Sequence, residues 1–449
     1  MVRGLDSLRA EMRPMLRLAL PVALGELAWM AMGVVDTLML GRVNAEAVGA
    51  MSIGRMLFMT AGVAGIGMLL GLDTLVSRAF GAGDLKRGRL VLVQGVYLGL
   101  LLALPLTLLY RSSSRLLGPL GIQGEVLGST VSYMHAVSWA ILPLLMYTAF
   151  RRYLQAVNLV RSVALALVTA NLVNLAGNWM LIFGHAGAPA LGAAGAGWAT
   201  LIAISYMALF LLAAVLLDLH GAGGLPFPSL RIDPAGLRAL LALGFPASIQ
   251  LVLEIGVVAL MGVLAGRLDP VSLAAHQIAL VLASVTFMVP LGISSACAVR
   301  VGQALGRGDP QGASRAGWTA MLIATSFMAL AALTFVALPR PLIRLFTADP
   351  RVIATGASLL LIAAVFQLAD GISVSATGAL RGTGDTHSPM LAMLIGYWIV
   401  ALPLGHQLCF RFGLGVTGLW IGLSAGLILV SLALPVMWAR CVRGLVHRR

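Results

Sequence analysis

The octapeptide SRAFGAGD at residues 77–84 recurs as GQALGRGD at residues 302–309, which is 225 positions further along the chain. Both copies keep two glycines and a final aspartate in the same places. At the same offset, Pro21 in LALPVA matches Pro246 in LGFPAS, and Gly41-Arg42 matches Gly266-Arg267. Further on, GAAG at 192–195 matches GVTG at 415–418 at an offset of 223. Similarity that stays in register along most of the chain indicates that one unit has been duplicated.

The composition indicates a membrane protein. The 449 residues are 60% hydrophobic and only 10% charged, with a mean hydropathy of +0.98. An ordinary soluble chain is about 25% charged, so this chain has too little polar surface to face water. The net charge of +14 does not indicate nucleic-acid binding, because the basic residues concentrate in short loops and at the two ends. The three cysteines lie far apart, which excludes a disulfide framework or a zinc knuckle.

Apolar runs of about 20 residues, each long enough to cross a bilayer, occur along the whole chain. Because they are continuously apolar rather than alternating, they predict helices and not barrel strands. The fold class expected is an all-α polytopic membrane protein of twelve transmembrane helices in two parallel six-helix repeats, since an even number of spans gives both copies the same orientation. The predicted spans are 15–41, 51–77, 90–110, 127–150, 162–183, 192–217, 240–266, 275–300, 316–338, 353–380, 389–410 and 416–439.

The repeat also predicts the domains. We expect an N-terminal six-helix lobe at 1–217, a cytoplasmic linker at 218–240 and a C-terminal six-helix lobe at 241–449. The start of the linker is rich in glycine and proline. Its end, LRIDPAGLRALL, predicts a short amphipathic helix with Asp233 as its N-cap before Pro234.

The basic residues predict the orientation in the cell inner membrane. With both termini in the cytoplasm, 21 of the 30 Lys and Arg residues lie inside, and 9 lie outside, Arg55 among them. Such an excess is typical of cytoplasmic loops. The N-terminal stretch is too charged for a cleavable signal peptide, so the first span is expected to remain as a helix.

Several polar residues in the predicted spans have apolar partners in the other copy of the repeat. In the N-terminal half these are Asp36, Asn174, Asn178 and Thr200, whose partners are Met261, Val400, Leu404 and Leu423. An ionisable residue inside a membrane is costly and is by default a candidate functional site. One carboxylate with amide and hydroxyl oxygens suits a monovalent cation, whereas a divalent ion would normally recruit more carboxylates. A buried carboxylate can instead exchange a proton, and the residues leave Na+ and H+ open. No other metal site is expected.

The C-terminal half has two acidic residues of its own. Glu254 and Asp370 correspond to Trp29 and Leu144 in the other copy, and neither has a nearby basic residue in its own span. Unpaired carboxylates favour cationic substrates or coupling ions. Two more acids receive weaker interpretations: Glu26 as a group that water reaches from the cytoplasmic side, and Asp73 as a gate or a structural pair near Arg78.

These residues resemble a known family. The pattern of Pro21, Asp36-Thr37, GLDTLVSRAFGAGD (71–84), Asn174 and Asn178, Glu254, HQIA (276–279), GQALGRGD (302–309) and Asp370 with LRGTGDT (380–386) is similar to that of the multidrug and toxic compound extrusion (MATE) family, and most of all to its NorM type. The resemblance covers essentially the whole chain. It implies V-shaped inward- and outward-facing states and export of cationic, often aromatic drugs and dyes by Na+ or H+ antiport.

The resemblance also assigns residue roles. It implies a cation site at Asp36, Asn174, Asn178 and Thr200, and binding of substrate or coupling ion at Glu254 and Asp370. Some relatives carry aspartate at the position of Asn178, so the single carboxylate here puts strong Na+ binding in doubt. We expect a monomer in the lipid bilayer, with no cofactor besides the coupling ion.

Two alternatives were weighed. A lipid-linked precursor flippase of the same superfamily would need a basic cavity for pyrophosphate, whereas the charges predicted within these spans are acidic. An enzyme is not expected, because the sequence has no Walker A loop, no nucleophile elbow and no HExxH motif.

Overall fold

The chain is helical throughout the ranges that the computed structural model describes, which are residues 2–119, 121–221 and 229–447, and these ranges contain no strand. Apolar helix formers dominate each long segment, and a helix satisfies its backbone hydrogen bonds internally, as lipid requires. The α-helices are α1 (Val2–Leu40), α2 (Ala45–Leu69), α3 (Gly71–Gly81), α4 (Leu85–Ser113), α5 (Gly124–Ser138), α6 (Ile141–Ala156), α7 (Val160–Phe183), α8 (Ala193–Gly221), α9 (Pro234–Gly266), α10 (Pro270–Gly306), α11 (Pro310–Ala337), α12 (Pro339–Arg344), α13 (Pro350–Gly382), α14 (His387–Met393), α15 (Leu402–His406) and α16 (Gly415–His447). Shorter elements are a 3-10 turn at Ser114–Leu116 and π-helical stretches at Leu394–Ala401 and Gln407–Arg411.

Eleven helical segments of the described chain are long and apolar enough to cross a membrane. Three of them are composite: α2 and α3 together form Ala45–Gly81, α4 and the 3-10 turn form Leu85–Leu116, and α14, α15 and the π-helical stretches form His387–Arg411. With α5 and α6 counted as one span that bends by 44° between them, the total is twelve. The predicted fold class is therefore confirmed, and the protein is a multi-pass membrane protein.

The duplicated octapeptide adopts the same turn in both copies. Gly83 and Gly308 have φ of +76° and +69°, a left-handed conformation that favours glycine. The next residue, Asp84 or Asp309, donates its backbone N–H to the helix behind it, at 2.9 Å in both copies. Each aspartate then accepts a backbone hydrogen bond as N-cap of the following helix, from Arg87 at 3.0 Å and from Gly312 at 2.7 Å. The sequence repeat is thus also a structural repeat.

The same turn occurs a third time, in RGTGDT at 381–386. Gly384 has φ of +82°, and the backbone N–H of Asp385 returns to Leu380 O at 3.0 Å. The Asp385 side chain then accepts from Ser388 N at 2.9 Å at the start of the next helix. A left-handed glycine followed by an aspartate that accepts from the start of the next helix therefore forms three of the connections in the described chain.

The chain divides into two compact units. The N-terminal unit is Leu24–Ser248, and the C-terminal unit combines Met1–Ala23 with Ile249–Arg449. The division falls inside α1 and α9 and not in the loop between the two copies. The lobes 1–217 and 241–449 therefore remain a sequence-based prediction.

The linker is shorter than predicted. α8 continues to Gly221, and residues 222–228 lie outside the described part of the chain. The amphipathic segment expected after Asp233 is not a separate helix, because it is the first part of α9, which runs unbroken from Pro234 to Gly266. The predicted cap is present: Oδ1 of Asp233 accepts from Ala235 N at 3.0 Å. The prediction of two helices was wrong because the change near residue 240 from an amphipathic to a continuously apolar pattern is not accompanied by a break in the helix.

Candidate functional site

The polar residues predicted in the N-terminal half lie together in the N-terminal unit. Asp36, near the end of α1, is only 5% exposed, and Asn174 and Asn178 of α7 are fully buried. Nδ2 of Asn178 donates to Oδ1 of Asp36 at 2.6 Å and to Oδ1 of Asn174 at 3.2 Å. The two asparagines are four residues apart and so share one face of α7. That face is directed at the carboxylate on α1.

Close packing of α7 on α8 brings Thr200 to the same place. A Cβ added at Gly177 would lie 3.1 Å from Cβ of Ala199, and one added at Gly195 would lie 2.3 Å from Leu181 O. Small residues allow two membrane helices to approach this closely. Oγ1 of Thr200 donates to Ala196 O at 2.9 Å, and the hydroxyl also interacts with the Asp36 carboxylate. We call Asp36, Asn174, Asn178 and Thr200 the Asp36 cluster.

Some polar atoms of the Asp36 cluster have no hydrogen-bond partner among the described residues. Among the described residues, Oδ1 of Asn178 and Nδ2 of Asn174 are buried without a partner. The Thr200 hydroxyl donates its proton to Ala196 O, so its oxygen is available only as an acceptor or as a ligand. Carboxylate, amide and hydroxyl oxygens are the ligand types that hard cations prefer. The arrangement can therefore hold a monovalent cation or a proton; its role as a cation site stays a prediction.

A basic residue that the sequence did not point to lies beside this cluster. Arg55 was counted among the external loop residues, but it lies inside α2, and its guanidinium interacts electrostatically with the Asp36 carboxylate. The available signal was its position within the predicted span 51–77, because an arginine inside a span needs a partner or a polar cavity.

The two acids of the C-terminal half also lie close together, in the C-terminal unit. Asp370 of α13 is 7% exposed, Glu254 of α9 is partly exposed, and the two carboxylates interact electrostatically. Neither forms an ion pair with any described residue. The nearest basic influence is Arg381, which interacts with Glu254 while its Nη2 donates to Ser294 Oγ at 3.3 Å. The structure thus brings together the pair that the sequence placed on separate spans.

An aromatic residue of a π-helical stretch, Tyr397, lies close to Glu254 and Asp370. Tyr397 is buried and interacts electrostatically with both Glu254 and Asp370. It lies in the π-helical stretch Leu394–Ala401, together with Trp398, whose indole N–H donates to Leu253 O at 3.1 Å. Stretches of π-helix are often found at functional sites because they shift side chains out of the regular helical order. Nothing in the residue pattern indicates the π-helix, because its residues are as apolar as those of an ordinary span.

The two weaker acidic candidates both form ion pairs inside the N-terminal unit. Glu26 of α1 pairs with Arg151 of α6, which also lies over the ring of Tyr147 at 5.9 Å. Asp73 of α3 pairs with Arg152 at 3.2 Å. Arg151 and Arg152 were assigned to a loop, but they lie within α6 and are buried. Both pairs join neighbouring helices. Asp73 is fully buried in its pair, whereas Glu26 remains partly exposed, so the access of water to Glu26 stays a prediction.

Comparison with known proteins places these features in one family. The MatE family model matches the chain twice, at residues 21–180 and 246–406, so the two matches begin at the repeat-related Pro21 and Pro246. The chain is 37% identical to a probable multidrug resistance protein NorM of Mesorhizobium japonicum over 443 residues, 96% of this chain and 94% of the relative. It is 32% identical to the multidrug resistance protein PmpM of Pseudomonas aeruginosa, across 99% of this chain and 94% of the relative.

The fold is that of solved members of the same family. The crystal structure of the eukaryotic MATE transporter AtDTX14 superimposes with a TM-score of 0.88 over 99% of this chain and 100% of that one, although only 20% of the residues are identical. The two family matches together cover more than half of the sequence. This all-helical, multi-pass membrane protein therefore belongs to the MatE family, as its motifs had indicated.

Proposed function

We propose that this protein is a secondary active multidrug exporter. It exchanges cationic organic compounds, including drugs and dyes, for Na+ or H+ by alternating access, acting as a monomer in the cell inner membrane with both termini in the cytoplasm. In support, two relatives of nearly full-length similarity are named multidrug resistance proteins. The predicted bias of basic residues supports the orientation.

The observation that carries this proposal is the burial of Asp36. A carboxylate that is 5% exposed inside an apolar bundle is expensive to keep. It is held by an amide hydrogen bond from Asn178 and forms no ion pair within 4.0 Å among the described residues. Such a group can change its charge by binding and releasing a cation, which is what a coupling site has to do in each cycle.

Glu254 and Asp370 supply the second half of the proposal. Two neighbouring carboxylates with the ring of Tyr397 beside them form an acidic, partly aromatic environment. Cations are attracted by carboxylates and by aromatic faces alike. We assign to this pair the binding of the cationic substrate, of the coupling ion, or of each in turn.

The test is transport by the purified protein in liposomes that contain a fluorescent cationic dye. Dye movement is followed after a Na+ gradient, a pH gradient or neither has been imposed. We expect one of the two gradients to drive dye against its own gradient, and an ionophore that collapses that gradient to stop it. Dye movement that needs neither gradient would contradict antiport, and an absence of dye movement under all three conditions would contradict drug export.

A further inference from the structure

The guanidinium of Arg55 packs against the backbone of α1 at Gly33, in space that only a glycine leaves free; we call this contact the seat on Gly33. A Cβ built at Gly33 would lie 1.8 and 1.9 Å from the two terminal nitrogens of Arg55 and 2.1 Å from Cζ. The guanidinium therefore occupies the space that any other side chain at position 33 would fill. The planar charged group lies directly against the helix backbone, with α2 reaching across to α1.

This seat places the charge beside the Asp36 cluster. Gly33 and Asp36 are three residues apart in α1, so they share a face one turn apart. The guanidinium forms no ion pair with the carboxylate within 4.0 Å among the described residues, yet it acts electrostatically on both Asp36 and Tyr133. Tyr133 bounds the same space from α5, since its ring packs where a Cβ of Gly54 would be, 2.4 Å from Cδ1.

A fixed positive charge in this position opposes a second cation. The guanidinium cannot be deprotonated in a protein. It is only partly exposed, so its charge is screened less than it would be in bulk water. A Na+ ion at the oxygens of the Asp36 cluster would have to overcome that repulsion in addition to losing its own water. For two unit charges separated by about two helical turns or less, the loss in affinity amounts to about 10- to 100-fold.

We propose that Arg55 is a specificity-determining residue of the Asp36 cluster: a tethered cation that keeps free Na+ off the carboxylate. The seat on Gly33 holds the charge near Asp36 without closing an ion pair, so the carboxylate stays available while Na+ is disfavoured as the coupling ion. Only the consequence for coupling rests on the proposed function; the effect on Na+ binding stands by itself.

The experiment measures binding of radioactive Na+ to the purified full-length protein in detergent. Arg55→Met removes the charge and keeps much of the apolar stem, whereas Arg55→Lys keeps the charge. We expect R55M to bind Na+ at least tenfold more tightly than the parent protein and R55K to behave like the parent. Adding Asp36→Asn to R55M should abolish the gain, which would assign the new Na+ site to the cluster.

The matched control is Arg42→Met, which removes an exposed arginine from the connection between α1 and α2. R42M should leave Na+ binding unchanged, and a gain equal to that of R55M would overturn the proposal as a general effect of net charge. Equal Na+ affinity of R55M and the parent, or an equal gain in R55K, would overturn it as well.

If R55M fails to elute as a monodisperse protein, Arg55→Gln is measured against R55K with the same criteria. Dye transport is scored separately, so a parent protein that exports nothing would contradict the proposed function without deciding the Na+ result.

Discussion

Nδ2 of Asn178 donates at once to Oδ1 of Asp36, at 2.6 Å, and to Oδ1 of Asn174, at 3.2 Å. One amide thus connects the only carboxylate of the Asp36 cluster to the second asparagine of α7. A hydrogen bond to an ionised acceptor is the stronger of the two. A cation that neutralises Asp36 would therefore weaken the hydrogen bond from Asn178 to Asp36 on α1, while the bond from Asn178 to Asn174 within α7 would remain. The occupancy of the site is therefore linked to the contact between two helices.

Asp36→Asn should abolish ion-driven dye transport and leave the protein folded. The amide has nearly the shape of the carboxylate but cannot change its charge, so the site can no longer alternate between two ionic states. We expect transport to fall by at least 100-fold in liposomes, with an unchanged elution profile. The control is Asp269→Asn, since Asp269 is an exposed N-cap and asparagine is an equally good one. Full transport activity in D36N would remove Asp36 from the mechanism.

Asn178→Asp should create a stronger site for Na+. The replacement puts a second carboxylate beside the first, in place of the amide whose Nδ2 now donates to Oδ1 of Asp36 at 2.6 Å. Two ionised carboxylates at this distance repel each other unless a cation or a proton lies between them. We expect NaCl, but not choline chloride, to raise the melting temperature of N178D more than that of the parent protein. Asn171→Asp is the comparison variant, because Asn171 lies about two turns earlier on α7 and donates to Ala28 O.

Glu254→Gln and Asp370→Asn should each weaken efflux of a cationic dye, and the double variant should lose more than either. The two carboxylates interact with each other and with Tyr397 and form no ion pair within 4.0 Å among the described residues. The buried Arg381 acts on Glu254 but also donates a hydrogen bond to Ser294. We expect roughly 10-fold weaker apparent affinity for the dye in each single variant, about the worth of one charge contact. The same affinity for the dye in the double variant as in the parent would show that the substrate does not contact this pair.

The twelve spans and the duplication could be predicted from the sequence because both depend on local patterns. Continuous apolar runs specify helices in lipid, and a repeated glycine-aspartate turn specifies where they end. The comparison of the two halves also found Asp36, Asn174 and Asn178, because a polar residue with an apolar partner in the other copy stands out. Each of these residues is recognisable because the other copy of the repeat has an apolar residue at the matching position.

The partners of the charged residues could not be predicted, because they depend on which helices touch. Nothing near Glu26 in sequence points to Arg151, which lies 125 positions away, and nothing near Asp73 points to Arg152. Arg55 differs in part: its position within the predicted span 51–77 is a local signal, but its contact with Gly33 exists only once α1 and α2 have packed. The π-helical stretch around Tyr397 likewise reflects packing and not composition.

The buried ion pair between Glu26 and Arg151 should contribute strongly to stability only as long as both partners are present. Removing one partner leaves the other charge buried and uncompensated, at a cost of roughly 3 kcal/mol or more, whereas replacing both by apolar residues is often nearly neutral. We therefore expect Glu26→Gln and Arg151→Met each to lower the melting temperature markedly, and the double variant to recover most of the loss. A double-mutant cycle measures the coupling. Additive losses would show that the two side chains act independently.

Gly83→Ala and Gly308→Ala should destabilise the protein by similar amounts, since they are equivalent positions of the repeated turn. Their φ angles of +76° and +69° are left-handed, while a Cβ at Gly83 would meet nothing within 4 Å, so the cost there is in the backbone alone. That cost is about 1 to 2 kcal/mol for a residue with a Cβ. Gly49→Ala is the matched control, because Gly49 lies within α2 and a Cβ there also meets nothing within 4 Å. In a helix the same substitution should stabilise by roughly 0.5 to 1 kcal/mol.

Melting temperatures in detergent should therefore fall for G83A and G308A and rise for G49A. Asparagine tolerates the left-handed region, so it should cost less than alanine at position 83. A rise in all three alanine variants would mean that the turns do not hold their left-handed glycines in solution.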